Sequence, residues 1–385
     1  MLNFDYYNPT HLVFGQGSIA RLAELVPANA RVLLLYGGGS AERNGTLAEV
    51  ETALGQRTVK RFGGIEPNPS YETLMNAVSR VHDEKLDFLL AVGGGSVIDG
   101  TKFVAAAVDY AGDPWNILET RGKNISRALA IGCVLTLPAT GSEANCAAVV
   151  TRKSLKAKLG FSSPCLFPRF SVLDPVKTYS LPARQIANGV VDAFVHVTEQ
   201  YLTYPVNAAV QDRYAESLLQ TLIEMGPLAL ATPQDYEVRA NLMWAATQAL
   251  QGAIGAGVPQ DWATHKIGHE LTALHGLDHA QTLAIVLPSL LHLCRNAKRD
   301  KLLQYADRVW KRSSGSADER IDAAIESTRA FFESLGVRTR LSDYGIAADA
   351  IGPIIDQLET HGMTAIGERR EIDLALSRRI LEACI

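Results

Sequence analysis

Apolar residues follow two rhythms along this chain. Up to about residue 180 they gather in short runs that stop at glycine. Arg31 to Tyr36 ends at Gly37-Gly38-Gly39-Ser40 and Phe88 to Val92 at Gly93-Gly94-Gly95-Ser96; Thr58 to Phe62, closed by Gly63-Gly64, reads as another strand. Runs of this length between glycines read as strands buried on both faces. Between them apolar residues recur at helical spacing: at Leu47, Val50 and Leu54, over Tyr71 to Val81, and from the Gly93–Ser96 turn to about Val108. His11 to Phe14, Leu129 to Leu137, Ala148 to Arg152 and Arg169 to Leu173 add further strands. Strand, glycine turn and helix in repetition predict a parallel sheet covered on both faces.

The rhythm changes near Leu181-Pro182. Ala183 to Leu202 reads as one long amphipathic helix, and helical spacing then continues to the C-terminus with almost no strand signal. The pattern predicts an α/β domain over 1–180 and an all-helical domain over 181–385.

Composition narrows the function classes. The 385 residues carry a formal net charge of −4, which argues against nucleic acid or an anionic membrane as partner. No apolar stretch approaches the ~18 residues of a membrane span. The start lacks the basic end and apolar run of a signal peptide. The five cysteines are scattered and form no C-x-x-C pair, so a cytoplasmic protein with reduced thiols is expected.

Two loops have the look of phosphate sites. Gly93-Gly94-Gly95-Ser96-Val97-Ile98-Asp99 joins a strand to a helix, where glycines admit a pyrophosphate and the helix start offers free N–H groups. It is neither G-x-G-x-x-G nor a Walker loop. Gly37-Gly38-Gly39-Ser40 follows an earlier strand, with no carboxylate until Glu42 to take a ribose diol. Its N–H groups, the Ser40 hydroxyl and Arg43 would instead suit a 2′-phosphate, which favours NADP(H) over NAD(H). A plain tight turn is the competing reading for this loop alone.

Four of the nine histidines, His265, His269, His275 and His279, lie within fifteen residues. His265 and His269 share a helix face, and Gly276 offers a break before His279. Asp192 and His196, also four apart, lie among apolar neighbours. A carboxylate there is costly unless it is paired or binds a cation. A buried Asp–His hydrogen bond would account for that pair alone. With the cluster added, one Asp and several His form a candidate divalent-metal site. The order His265-Lys266-x-x-His269 lacks the Glu that a zinc peptidase needs after its first His.

These motifs together resemble the iron-containing (group III) alcohol dehydrogenases, and most closely their bacterial broad-range NADPH-dependent aldehyde reductases. The resemblance spans essentially the whole chain. It rests on Glu66-Pro67-Asn68-Pro69, Gly93-Gly94-Gly95-Ser96-x-x-Asp99, Thr136 to Glu143, Asp192-x-x-x-His196, and His265-x-x-x-His269 with His279 ten residues on. It implies a Rossmann-like N-terminal domain and an all-α C-terminal domain, the dehydroquinate synthase-like architecture. It also implies a metal, Fe2+ or Zn2+, on Asp192, His196, His265 and His279, with His269 beside nicotinamide and substrate. It places the cofactor NADP(H) on Gly37, Gly38, Ser40, Asn68, Gly95, Ser96, Asp99, Thr136, Asn145 and Lys158. His275 matches no role. The implied reaction is reduction of small aldehydes to primary alcohols by a homo-oligomer, expected to be a dimer. The stretch from Ile254 to Trp262 departs from the wider family, which implies a different substrate pocket. A glycerol dehydrogenase or dehydroquinate synthase-like enzyme using NAD is the alternative, less well matched by the Thr136–Glu143 segment and the histidine spacing. A non-catalytic metal or nucleotide sensor has no support in the residues.

Overall fold

The computed structural model describes residues 1–385. The chain forms two compact units, each drawn from more than one stretch. The α/β unit comprises Tyr7–Leu181 and Pro233–Thr247. The helical unit comprises Met1–Tyr6, Pro182–Thr232 and Gln248–Ile385.

The α/β unit is built on a six-stranded sheet of β1 (His11–Phe14), β2 (Arg31–Tyr36), β3 (Thr58–Phe62), β4 (Phe88–Gly94), β5 (Ala130–Leu137) and one further strand. That strand, β8 (Phe170–Leu173), follows a hairpin of β6 (Ala147–Arg152) and β7 (Ala157–Ser162). The sheet order is β1-β8-β5-β4-β2-β3, and every pairing in it is parallel. The helices are α1 (Leu22–Leu25), α2 (Ser40–Arg43), α3 (Thr46–Leu54), α4 (Tyr71–Glu84), α5 (Gly95–Ala107) and α6 (Asn116–Glu119).

Alternation along the strands explains why the sheet needs cover on both sides. Leu33, Leu35, Leu89, Ala91, Ile131 and Cys133 turn to one face and pack with α4 and α5. Val32, Leu34, Leu90, Val92 and Val134 turn to the other, with Ile19, Leu22, Leu47 and Val50. The expected strand at Ala148 to Arg152 exists, but it pairs antiparallel with β7 outside the main sheet. β7 escaped the sequence reading because Lys158 and Gly160 dilute its apolar pattern.

The helical unit contains α7 (Ala183–Tyr201), α8 (Ala209–Ala231), α10 (Ala263–His275), α11 (His279–Leu293), α12 (Arg299–Arg308), α13 (Ala317–Ser334), α14 (Ile351–Thr360) and α15 (Leu374–Glu382). Helix α9 (Tyr236–Ala249) belongs to the α/β unit through Thr247. Two-residue strands β9 (Ala365–Ile366) and β10 (Ile372–Asp373) pair antiparallel. From Gly189 to Tyr201 every residue of α7 is buried, so it is the unit's central helix rather than an amphipathic surface one. Phe194 on it packs with Phe331 and Phe332, each at 5.4 Å between ring centroids.

Candidate metal centre and cofactor loops

Three helices of the helical unit bring the metal-site candidates together. Asp192 and His196 lie one turn apart on α7, both buried. His265 is the third residue of α10, which ends at Gly276 in the left-handed conformation (φ 69°). That turn leads to Asp278, whose N–H donates to Gln281 Oε1 (3.0 Å) at the start of α11. Arg184 Nε and Asn188 Nδ2 of α7 donate to Asp278 Oδ2 at 2.8 and 2.7 Å. His279, the first residue of α11, is thereby set against α7.

The result is a convergence on one carboxylate oxygen. Asp192 Oδ1 lies 3.6 Å from His196 Nε2, 4.0 Å from His265 Nε2 and 3.7 Å from His279 Nε2. Donor atoms of Asp192, His265 and His279 all fall within 4.8 Å of one another. His196 stacks on His265 at 4.6 Å between centroids, with 21° between ring planes. These separations are longer than direct hydrogen bonds. Metal bonds of about 2.0–2.2 Å at tetrahedral angles would put neighbouring ligand atoms about 3.3–3.6 Å apart. The distances to Asp192 are at or slightly above the top of that range; Asp192, His265 and His279 form the mutually close set, His196 Nε2 adjoins it through Asp192, and such a carboxylate and imidazole set suits Fe2+ or Zn2+. The residues therefore fit a small divalent cation. His269 stands beside this set, its ring 5.2 Å from His279 and 6.3 Å from His265. His275 is exposed at the end of α10.

Glu199 escaped the sequence reading. Its Oε2 meets His265 Nδ1, and its Oε1 accepts the Thr264 N–H at 2.7 Å. It is 3% exposed, and burial together with the Asp261 carboxylate pushes its pKa well above the usual carboxylate range. A signal was available: Glu199 follows Asp192 by seven residues, which returns it to the same helix face. In the sequence Trp262 stands out only as the end of the departing stretch Ile254 to Trp262. It caps α10 in the left-handed region (φ 64°), unusual for a bulky residue, with its ring 5.3 Å from that of His265.

In the α/β unit the strand-to-helix turn is tightly packed. A Cβ on Gly95 would lie 2.4 Å from Thr140 Cγ2, and one on Gly94 would lie 2.9 Å from Leu137 Cβ. Internal packing, as well as any phosphate, therefore requires these glycines. Ser96 Oγ accepts the Asn68 N–H at 3.3 Å, and Lys158 Nζ donates to Asn68 Oδ1 at 2.9 Å. Asn68, Ser96 and Lys158 thus form one polar cluster, with Asn68 itself left-handed (φ 55°).

Asp99 does different work. Its Oδ1 accepts from Ser142 Oγ (2.6 Å) and its Oδ2 from the Val149 N–H (2.9 Å). One helical turn along, Lys102, fully buried, donates to the Ser142 and Ala147 carbonyls and to Asn145 Oδ1. Burial lowers the Lys102 pKa, and Asp99 opposes that. Asp99 and Lys102 clamp the segment after Thr136 onto α5, and Asn145 is held within it by Gly141 O at 2.9 Å. Lys102 is a second residue that spacing alone did not single out. Buried Glu143 has its pKa raised by desolvation, and its Oε1 accepts from Thr247 Oγ1 at 2.6 Å.

At the other loop, Gly37 and Gly38 precede Ser40, the first residue of α2. Arg43 Nη1 folds back to Gly38 O at 3.4 Å. Glu42, the first carboxylate after the loop in the sequence, is 3.2 Å from Arg61.

Comparison with known proteins places this arrangement. Residues 9–175 match the iron-containing alcohol dehydrogenases, and residues 186–370 match the C-terminal part of the Fe-containing alcohol dehydrogenase family. The chain is 62% identical over 385 residues to the NADPH-dependent aldehyde reductase YqhD of Escherichia coli (strain K12), covering 100% of both. It is 42% identical over 367 residues to a probable NADH-dependent butanol dehydrogenase 1 of Bacillus subtilis (strain 168), covering 94% of this chain and 95% of that one. The substrate- and cofactor-free form of the aldehyde reductase YqhD from E. coli superimposes with a TM-score of 0.93 at 60% identity, covering 100% of both chains. The chain belongs to the iron-containing alcohol dehydrogenase family.

Proposed function

We propose that the protein is an NADP(H)-dependent alcohol dehydrogenase working as an aldehyde reductase, converting small and medium aldehydes to primary alcohols. The observation that carries this reading is the convergence of three imidazole nitrogens on Asp192 Oδ1 in a family member 62% identical to an NADPH-dependent aldehyde reductase. Asp192, His196, His265 and His279 would hold one divalent ion, Fe2+ or Zn2+. When bound, NADPH supplies the hydride, and the metal supplies the Lewis acidity that polarises the aldehyde oxygen.

The chain's own residues then bind, orient and move a proton. Gly95 and Ser96 receive the pyrophosphate at the start of α5. Asn68 and Lys158 extend that cradle, and Thr136 and Asn145 flank the ribose and nicotinamide. Asp99 serves the cofactor from behind, by holding the Ser142–Val149 segment against α5. Gly37, Gly38 and Ser40 take the 2′-phosphate, with Arg43 as counter-charge. The engagement of Glu42 with Arg61 supports this over a ribose-diol site for NAD. His269 is the catalytic residue, relaying a proton to the former carbonyl oxygen as the hydride arrives.

A homodimer is part of the reading. Strand β1 pairs on one side only, which leaves a sheet edge. Beside it Phe14 and Trp244, 41% and 43% exposed, pack edge to face at 5.9 Å. No helix is long and apolar enough to cross a membrane. The five free cysteines support a cytoplasmic placement.

The test is the absorbance of NADPH mixed with metal-loaded protein and butanal. NADPH should be consumed, and NADH more slowly. Absence of turnover with every small aldehyde tried, despite bound metal and cofactor, would reject the reading.

A further inference from the structure

Behind the metal-site histidines the helical unit buries a chain of charges that no ligand assignment requires. Lys298 sits just before α12 with its side chain wholly inaccessible. Its Nζ lies 2.7 Å from Asp261 Oδ2 and 2.7 Å from Glu368 Oε2, and donates to Leu202 O at 2.8 Å. Burial alone would lower the lysine pKa, but Asp261 and Glu368 outweigh it, and the net shift is upward. The ammonium is thus held charged in the interior.

Asp261 passes this fixed point on to the metal-site helices. Its N–H donates to Glu199 O at 2.9 Å, and its Oδ1 accepts the Ala263 N–H at 3.0 Å, at the first residue of α10. Glu199 completes the link. Its Oε1 takes the Thr264 N–H, which leaves Oε2 facing His265 Nδ1, where it accepts a hydrogen bond when Nδ1 carries the proton. With that proton on Nδ1, the lone pair of His265 is on Nε2, the atom 4.0 Å from Asp192 Oδ1. Histidine ligands are commonly oriented by a carboxylate on their other nitrogen.

We propose that Glu199 is the positioning residue of the metal centre, and that the buried Asp261–Lys298–Glu368 ion cluster is the anchor that keeps the start of α10 in register with α7. Glu199 selects the Nε2-donor tautomer of His265. Lys298 joins three parts of the chain, the α7 end at Leu202, the α10 entry at Asp261 and the turn at Glu368, so the geometry of the site does not depend on the metal to assemble it. This inference rests on the ligand reading given above, with His265 as a ligand.

The decisive experiment measures metal affinity of the apo-protein by competition with a chromophoric chelator, with Zn2+ as the probe, in parallel with NADPH binding by fluorescence. Glu199→Gln keeps the side chain's shape but cannot accept from both Thr264 and His265. It should bind Zn2+ about 10- to 100-fold more weakly, with NADPH affinity unchanged. Lys298→Met should weaken Zn2+ binding in the same direction, and Lys298→Arg, which keeps the charge, should restore most of it. Should Lys298→Met fail to fold, Glu199→Gln and Lys298→Arg still decide. Wild-type Zn2+ affinity in Glu199→Gln overturns the proposal, as does an equal loss of NADPH binding, which would mean general damage. His265→Ala separates the two readings. If it keeps wild-type affinity, the ligand assignment itself fails. If it loses the metal while Glu199→Gln keeps it, only the positioning role fails.

Discussion

Replacing Gly95 by Ala tests how the cofactor loop is held. The new Cβ would lie 2.4 Å from Thr140 Cγ2, 2.5 Å from its Oγ1 and 3.0 Å from its Cβ. Rotating Thr140 gives little relief, because a β-branched side chain presents a second substituent to the same place. Its Oγ1 also accepts the Ser142 N–H at 3.1 Å. The turn must therefore move by roughly 1 Å, at a cost of about 1–3 kcal/mol for an overpacked site. A shift of that size would carry N–H groups beyond hydrogen-bond range of a phosphate. Losing one charge-assisted bond costs about 1.5–3 kcal/mol, so NADPH should bind roughly 10- to 100-fold more weakly. Fluorescence titration with NADPH and thermal unfolding are the assays, and Thr140→Gly supplies the internal control. Combined with Gly95→Ala it removes all three contacts, so the double variant should be less impaired than the sum of the singles. Wild-type NADPH affinity and melting temperature in Gly95→Ala would refute the packing argument.

Arg43→Ala should reduce NADPH affinity by about tenfold, the value of one charge-assisted contact, and leave NADH affinity unchanged; equal loss for both cofactors, measured by titration, would remove Arg43 from the 2′-phosphate site. His361 should make stability pH-dependent. Its Nδ1 lies 2.8 Å from the wholly buried Glu270, and that hydrogen bond raises the imidazole pKa above its ordinary value. The folded state thus holds this proton more tightly than the unfolded chain. Its contribution is full below about pH 6.5 and fades as pH rises through the raised folded value. His361→Gln should flatten melting temperature against pH across that window, and an unchanged profile would assign the dependence elsewhere.

Much of the fold was legible because the chain states its periods plainly. The central strands β2, β4 and β5 appear as apolar runs, and their alternation divides between two cores, whereas β3, with Lys60 and Arg61 at the sheet edge, carries a weaker pattern. The hairpin was half-legible, since Lys158 and Gly160 break the pattern of β7 although backbone pairing with β6 is complete. At the metal centre, spacing brought Asp192 to His196 and His265 to His269. It could not show that four side chains on α7, α10 and α11 meet, because that depends on helix packing. Glu199 lay at a helical repeat from Asp192, yet one more acidic residue in a long helix carries no signal until its neighbour is known. Lys298 and Glu368 were further out of reach, since seventy residues separate them and only tertiary structure makes them a pair. Asp99 was found for its place in the first turn of α5, while its hydrogen bonds point to the segment it anchors.

A metal ion held by Asp192, His196, His265 and His279 should be required for NADPH-linked reduction. The most direct measurement strips the protein of metal with a chelator, verifies that it still binds NADPH, and follows NADPH oxidation with butanal as Fe2+ or Zn2+ is added back. The stripped protein should show no turnover, and activity should rise to a plateau at one metal ion per chain. Undiminished turnover in protein shown to be metal-free would contradict it.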